Sequence, residues 1–318
     1  MSSPAKKIIK TILPLALGGF LVWYSISKIS IETLLQYFKN ANYWWIALGL
    51  FFGILSHLSR AYRWKFLLEP MGYKPDFGNS TMAVLVAYLV NLTVPRAGEV
   101  SRAAVMTNYE GISFEKGFGT IVAERIADLI MMLIIISFTL LIQFDFIYEL
   151  LTKNFNPYKI IIALVVLIIG FFIFSHFVRS AESGFLFKIK TFVSGLIEGA
   201  TSIFKMKNKW AFIFHTVFIW LMYVAMFWAT VPAIENLQVP FGAVLIGFIA
   251  GGFSIAATNG GIGLYPVAVA GAFALFNIPE EPANAFGWIM WTAQTAMIII
   301  FGGLSFLFLP IYNKNKSN

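Results

Sequence analysis

The chain reads as long apolar runs separated by short polar joints. A bilayer span needs about 20 mostly apolar residues. Six stretches meet that need, at about 8–27, 43–60, 117–143, 158–178, 210–231 and 283–310. Two further apolar regions, 78–116 and 239–276, are interrupted by glycine and proline, and the first also by charge. The pattern predicts an all-α fold, a polytopic membrane helical bundle.

Lysine and arginine set the expected orientation, because basic loops are retained in the cytoplasm. Lys6, Lys7 and Lys10 precede the first span, and Arg60, Arg63, Lys65 and Lys74 follow the second. Arg179, Lys188, Lys190, Lys205, Lys207 and Lys209 lie between the fourth and fifth, and Lys314 and Lys316 close the chain. The opposite loops hold only Lys28, Lys39 and Lys153. Both termini are therefore expected in the cytoplasm. No small-residue cleavage pattern follows the first lysines, so the first apolar run is expected to be a retained span.

That orientation leaves 78–116 to leave and re-enter one face, and 239–276 to do so from the other. The expectation is about six full spans plus two inverted re-entrant helical hairpins in a single transmembrane domain, 1–318. The hairpin tips fall near 95–98 and 258–266. Helix, hairpin, helix occurs twice, the second time upside down. Inverted repeats whose broken helices meet near the midplane are a common way to build a transporter site. The alternative is that both hairpins cross fully, giving eight or more spans.

Composition sharpens the picture. The 318 residues are 59% hydrophobic and 12% charged, with mean hydropathy +0.78. A soluble domain is about half apolar and a quarter charged. The net charge of +8 is accounted for by cytoplasmic loops, not by nucleic acid. Cysteine is absent, which excludes disulfides and thiolate metal sites. His57, His176 and His215 are far apart and lack ligand spacing. No metal motif, nucleotide phosphate loop or serine–histidine–acid arrangement is present, so no metal, cofactor or catalytic residue is expected. Residues 63–68 and 185–207 mix basic and apolar positions and suit helices lying on an anionic leaflet. Packing of the second as a soluble helix on the bundle is equally open, and about 180–209 is the place for a cytoplasmic partner. Trp44, Trp45, Trp210, Trp288 and Trp291 flank spans as interfacial anchors. Gly251–Gly252 and Gly302–Gly303 are expected at helix contacts.

The candidate chemistry sits at the interruptions. Arg96, Glu99 and Arg102 follow Pro95 at spacings of three, which puts them along one face if 97–107 is helical. A helix starting there turns its free N–H groups toward an anion, and arginine offers a planar fork suited to phosphate oxygens. The reading is headgroup phosphate binding; an internal ion-pair network that only holds the hairpin is the alternative. Glu124 and Asp128 are one turn apart with Arg125 beside them, roughly 10–17 Å along their helix. They balance the arginines or, with a raised carboxyl pKa, couple protons. In the second hairpin, Asn259, Gly260, Gly261, Gly263, Tyr265 and Pro266 allow close approach of backbone to a ligand or to the other hairpin.

Four blocks carry a resemblance: Arg60-Ala-Tyr-Arg-Trp-Lys65, Pro95-Arg-Ala-Gly-Glu-Val-Ser-Arg102, Gly119-Thr-Ile-Val-Ala-Glu-Arg-Ile-Ala-Asp128 and Gly260-Gly-Ile-Gly-Leu-Tyr-Pro266. In order and spacing the chain resembles the membrane region of lysylphosphatidylglycerol synthases, the flippase-like domain family. The resemblance implies a multi-pass protein of the bacterial or archaeal cytoplasmic (inner) membrane that handles phospholipids or lipid-linked anions. In two-part members of that family the membrane region moves the lipid, and a soluble domain attaches the amino acid. This chain ends at Asn318 without such a domain, so synthase activity is not expected. Tyr265 and Pro266 stand where the family's glycine loop is expected to carry an acid. The expected function is a phospholipid or lipid-linked-anion translocase whose headgroup phosphate is bound by buried arginines between the two hairpins. An integral-membrane headgroup-modifying enzyme and a non-transporting accessory subunit are the alternatives. Homo-oligomerisation is left open.

Overall fold

Polar side chains decide where the helices begin. Ser30, Asn42, Asp76 and Asn156 each accept a hydrogen bond from a free N–H of the following turn, satisfying a donor that has no partner within the helix. The computed structural model describes residues 19–94, 96–154, 156–191, 194, 203 and 206–314. Its helices are α1 (Ile31–Asn40), α2 (Tyr43–Leu68), α3 (Phe77–Thr93), α4 (Ala97–Glu110), α5 (Phe114–Ile142), α6 (Phe144–Asn154), α7 (Pro157–Ser180), α8 (Lys209–Thr230), α9 (Phe241–Ala257), α10 (Leu264–Ala274) and α11 (Glu280–Asn313). Residues 19–27 and 184–191 are also helical. The fold is all-α, as the apolar pattern predicts. Phe114–Ile142, Lys209–Ala233 and Glu280–Asn313 are each long and apolar enough to cross a membrane.

Two compact units are present: residues 1–122 with 210–318, and residues 123–209. In the first, α11 is the longest helix, at 34 residues. At its C-terminal end Asn313 and Asn79 exchange amide hydrogen bonds of 2.7 and 2.8 Å, and the Asn79 amide also donates to Glu110. The Asp76 N–H donates to Glu110 at 3.2 Å. The start of α3 and the end of α4 therefore share one polar network, and the pair forms a hairpin. Farther along α11, a methyl added to Gly302 would lie 2.8 Å from the Leu85 carbonyl. Next, the Trp291 indole donates to the Gly260 carbonyl at 2.8 Å. One added to Gly287 would meet the Pro266 backbone at 2.6 Å. At the N-terminal end, Lys28 pairs with Glu280 at 3.3 Å and Tyr37 donates to Glu281 at 3.2 Å. The bond to Glu280 holds the Lys28 ammonium above its ordinary pKa.

Helix α3 of the first hairpin thus packs along the C-terminal half of α11, and α10 of the second along the N-terminal half. Their tips meet: a methyl on Gly260 would lie 2.9 Å from Leu92 Cδ2. Gly260, Gly261 and Gly263 all have positive φ, at 63, 80 and 69°, which only glycine adopts at little cost. The aromatic core of this unit gathers Phe227, Phe273 and Phe286 with Val244 and Ile289.

In the second unit the joint expected at 144–157 is largely helical, as α6. Within it, Lys190 donates to the Ala181 carbonyl at 3.2 Å. Residues 192, 193, 195–202, 204 and 205 of the expected amphipathic segment 180–209 lie outside the described residues, as do residues 8–18 of the first expected span.

Four expectations change. α2 does not end at residue 60 but runs to Leu68, where Pro70 and Gly72, at φ 86°, stop it. Residues 63–68 do not lie on a membrane surface: Arg63, Trp64 and Leu68 are fully buried. Trp44 and Trp210 are exposed as anchors would be, but Trp288 is 9% exposed and Trp291 holds the second hairpin's tip. Of the glycine pairs, Gly251 meets Tyr265 and Gly302 meets Leu85, while Gly303 faces open space.

The tightest approach tests the hairpin. A Cβ on Gly98 would lie 2.1 Å from the Ala87 carbonyl, so Gly98→Ala forces α3 and α4 apart. The expected cost is about 1–3 kcal/mol, read as a lower thermal midpoint of the detergent-solubilised protein. Gly303→Ala, with nothing within 4 Å, leaves that midpoint unchanged.

Candidate functional site

The break between α3 and α4 is held by one side chain. Asn91 accepts from the Gly98 N–H at 2.7 Å, and its amide faces Glu99 at 3.5 Å. Arg96 sits in the break with φ 61° and is exposed. It precedes α4 and is not on the helical face expected to carry all three charges. Glu99 is half-buried, and Arg102, one turn deeper, is 3% exposed. The Arg102 guanidinium lies 3.7 Å from the centroid of the Trp64 ring. Such a contact contributes about 2 kcal/mol when desolvated.

Trp64 is itself fixed. Its indole N–H donates to Thr120 Oγ1 at 2.8 Å, and the Thr120 hydroxyl donates to the Gly117 carbonyl at 2.7 Å. On the same helix Arg60 is 3% exposed and Arg63 is fully buried. Arg63 donates to Thr216 Oγ1 at 2.8 Å and stands 5.1 Å from the Phe212 ring. Next to it, Ser59 and His215 share a hydrogen bond of 2.8 Å. One turn before Arg60, His57 is 5% exposed between the rings of Tyr88 and Tyr223, whose hydroxyls lie 3.2 Å apart. His57 Nδ1 makes no hydrogen bond. Among the described residues, three cationic side chains are thus buried in one unit, two on α2 and one on α4.

Arg60 and Arg63 were read from the sequence as charges outside the bilayer. The signal against that reading was present: Ala61, Trp64, Phe66, Leu67 and Leu68 keep helical apolar spacing past residue 60, and no breaker occurs before Pro70. Nothing in the local sequence marks His57.

In the second unit Glu124 is 1% and Asp128 9% exposed, and Arg125 pairs with Asp128 at 3.6 Å. At the second hairpin tip, Tyr265 is buried against Gly251 and Pro266 against Gly287, so both pack helix on helix. Asn259 is half-buried and accepts through its carbonyl from the Ile262 N–H at 3.4 Å. Among the described residues, no group of three histidines, cysteines or acids is placed to hold a metal.

Buried arginines, broken helix pairs and apolar helices of spanning length define a multi-pass membrane protein with a polar interior. Residues 11–302 match the family model described as the lysylphosphatidylglycerol synthase TM region, and the chain belongs to that family. It is 22% identical over 317 aligned positions to a UPF0104 membrane protein of Methanocaldococcus jannaschii, covering 88% of this chain and 89% of that one. It is also 32% identical over 78 residues to the glycosyltransferase AglD of Haloferax volcanii, covering 24% of this chain and 12% of that protein. No solved structure matches.

The stacking of Arg102 on Trp64 is testable through stability. Trp64→Ala removes a fully buried ring and the surface that holds the guanidinium, at an expected cost of about 3–5 kcal/mol. Trp64→Phe keeps a ring, loses the bond to Thr120 and costs less. Thermal midpoints of the two purified variants check the order.

Proposed function

We propose that this protein translocates a phospholipid or another lipid-linked anion across the cytoplasmic (inner) membrane, with both termini in the cytoplasm. The observation that carries the reading is the burial of Arg60, Arg63 and Arg102 in one unit. A permanently charged side chain inside a membrane domain is costly and is retained where it does work. Arginine cannot shed its charge, and its planar fork suits phosphate. Arg102 is the central phosphate contact in this reading, with Arg60 and Arg63 beside it. Arg96, exposed in the break, meets the headgroup first, and Glu99 offsets part of the positive charge. Glu124 and Asp128 keep the role of proton-coupling candidates in their own unit, with Arg125 as the counter-charge of Asp128.

The two helix pairs are re-entrant in this reading, entering from opposite faces. α10 has 11 residues, roughly 16 Å of helix, against a hydrocarbon core of about 30 Å. The joined ends of α3 and α4, the tip-to-tip contact at Gly260 and Leu92, and the opposite ends of α11 that they occupy all favour it. Rocking of one inverted half against the other then exposes the headgroup to either side. Membership of a family named for the membrane region of a phospholipid-modifying synthase supports a lipid substrate. The transferase name of AglD brings no chemistry here, since the shared stretch covers 12% of that protein.

Two measurements test the proposal. In proteoliposomes carrying a fluorescent anionic phospholipid, Arg102→Ala is expected to slow protein-dependent flipping by about tenfold or more, as loss of one charge-assisted contact implies. An unchanged rate sinks the assignment. The chain has no cysteine, so single cysteines report depth directly. Val94→Cys should resist a membrane-impermeant maleimide from both sides, whereas Lys74→Cys should react; equal reaction at the two sites removes the re-entrant reading.

A further inference from the structure

A groove between α2, α3 and α11 takes no part in the arginine site. Leu58, Phe77, Thr81, Met82, Phe308 and Ile311 are among its walls, and its volume is about 510 Å³. Phe77, Phe308 and Ile311 are 47, 54 and 66% exposed, so the trough is open along its length. One lip continues onto Tyr62, a helical turn beyond Leu58 on the same face of α2. The Tyr62 ring meets Phe77 edge-on at 5.9 Å. Lys65 lies 3.8 Å over that ring and donates to its hydroxyl at 2.7 Å. An apolar trough therefore ends at an ammonium held in place by an aromatic ring. At the other edge the Tyr312 hydroxyl donates to Asp76 at 3.0 Å, and Asp76 also accepts from the Asn79 N–H. That carboxylate is engaged in the network at the base of the hairpin.

We propose that a phospholipid seats here, with one acyl chain in the groove and its phosphate at Lys65. The chemistry selects this occupant. Apolar walls leave the N–H and C=O groups of a peptide unsatisfied. A free phosphate meets Lys65 but gains nothing from the trough. A phospholipid uses both, since each methylene buried contributes and a partly desolvated cation strengthens the pairing with phosphate. The three helices belong to a membrane family, so the ligand is at hand in the surrounding bilayer. The proposal rests on the groove and Lys65 alone, and not on the arginines or on transport.

The full-length protein is placed in phosphatidylcholine nanodiscs containing a trace of phosphatidylglycerol with a diazirine in its acyl chain. Labelled peptides are mapped by mass spectrometry after illumination. The expected label falls on residues 77–82 and 308–312. It drops by about threefold or more in Met82→Trp, which fills the trough, and in Lys65→Glu, which reverses the charge at its mouth. Label no denser there than on the apolar face of α5, or label unchanged in either variant, overturns the proposal and leaves only bulk lipid contact. Should Met82→Trp lower the thermal midpoint, Ile311→Trp at a more exposed wall position replaces it under the same criterion. The readout is labelling alone, so it stands whatever rate Arg102→Ala gives.

Discussion

The Arg102 guanidinium stacked on Trp64 at 3.7 Å is the contact around which the first unit is arranged. A guanidinium stays charged in any surroundings a protein offers, and burial removes its water. What replaces that water must already be in place. Part of the replacement here is an indole face, itself fixed by Thr120. Setting that indole requires α2 to continue past residue 60 to Leu68, and requires α5 to begin at Phe114 so that Thr120 reaches it. Bringing Arg102 to the ring requires α4 to turn back along α3. That turn in turn requires Gly98, where no side chain fits against the Ala87 carbonyl, and Asn91, which takes up the freed N–H.

The same unit uses α11 as its reference axis. A 34-residue helix extends about 50 Å, more than a hydrocarbon core. Its contacts run in order: Glu280 and Glu281 with Lys28 and Tyr37, then Pro266, Gly260, Leu85 and finally Asn79. Broken helices leave backbone groups without intrahelical partners, and in an apolar medium each must be satisfied by protein. Trp291 does so for Gly260, and Asn91 for Gly98. These two side chains come from opposite parts of the sequence yet serve equivalent positions, one at each hairpin tip. A polar network anchors the base of the first hairpin, and single side chains anchor the tips.

Membership of the lysylphosphatidylglycerol synthase TM-region family rests on a match through residues 11–302. The chain is 22% identical to the archaeal relative over nearly the whole length of both chains. A pattern of spans and breaks tolerates wide change at lipid-facing positions, where any apolar residue serves. Change is far less tolerable at Gly98, Trp64 or Arg102, where geometry and charge leave few substitutes. The exposed groove beside Lys65 shows the other side of the same physics. Surface that is apolar along its floor and cationic at its end matches the lipid that surrounds it.

Apolar periodicity and the positions of glycine and proline were enough to place the long helices from α2 onward and both breaks, though not the end of α2 or the helices α1 and α6. Twenty-residue apolar runs admit little but helix in a bilayer, and a break needs residues that tolerate unusual backbone. The charged stretch at 96–102 was legible as a site candidate for the same reason: charge among apolar residues is costly wherever it lies. The membership of the buried basic group was decided by tertiary structure. Arg60 and Arg63 read as loop charge because sequence gives position along a helix but not what surrounds it. Thr216 from α8 supplies part of that surrounding for Arg63, brought there by packing between positions 153 residues apart. Arg96 fell on the other side of the same limit: it was named with Arg102, but a left-handed backbone at the break turns it outward. Spacing fixes which residues share a helix face, and only the packed fold fixes whether that face meets lipid, water or an aromatic ring.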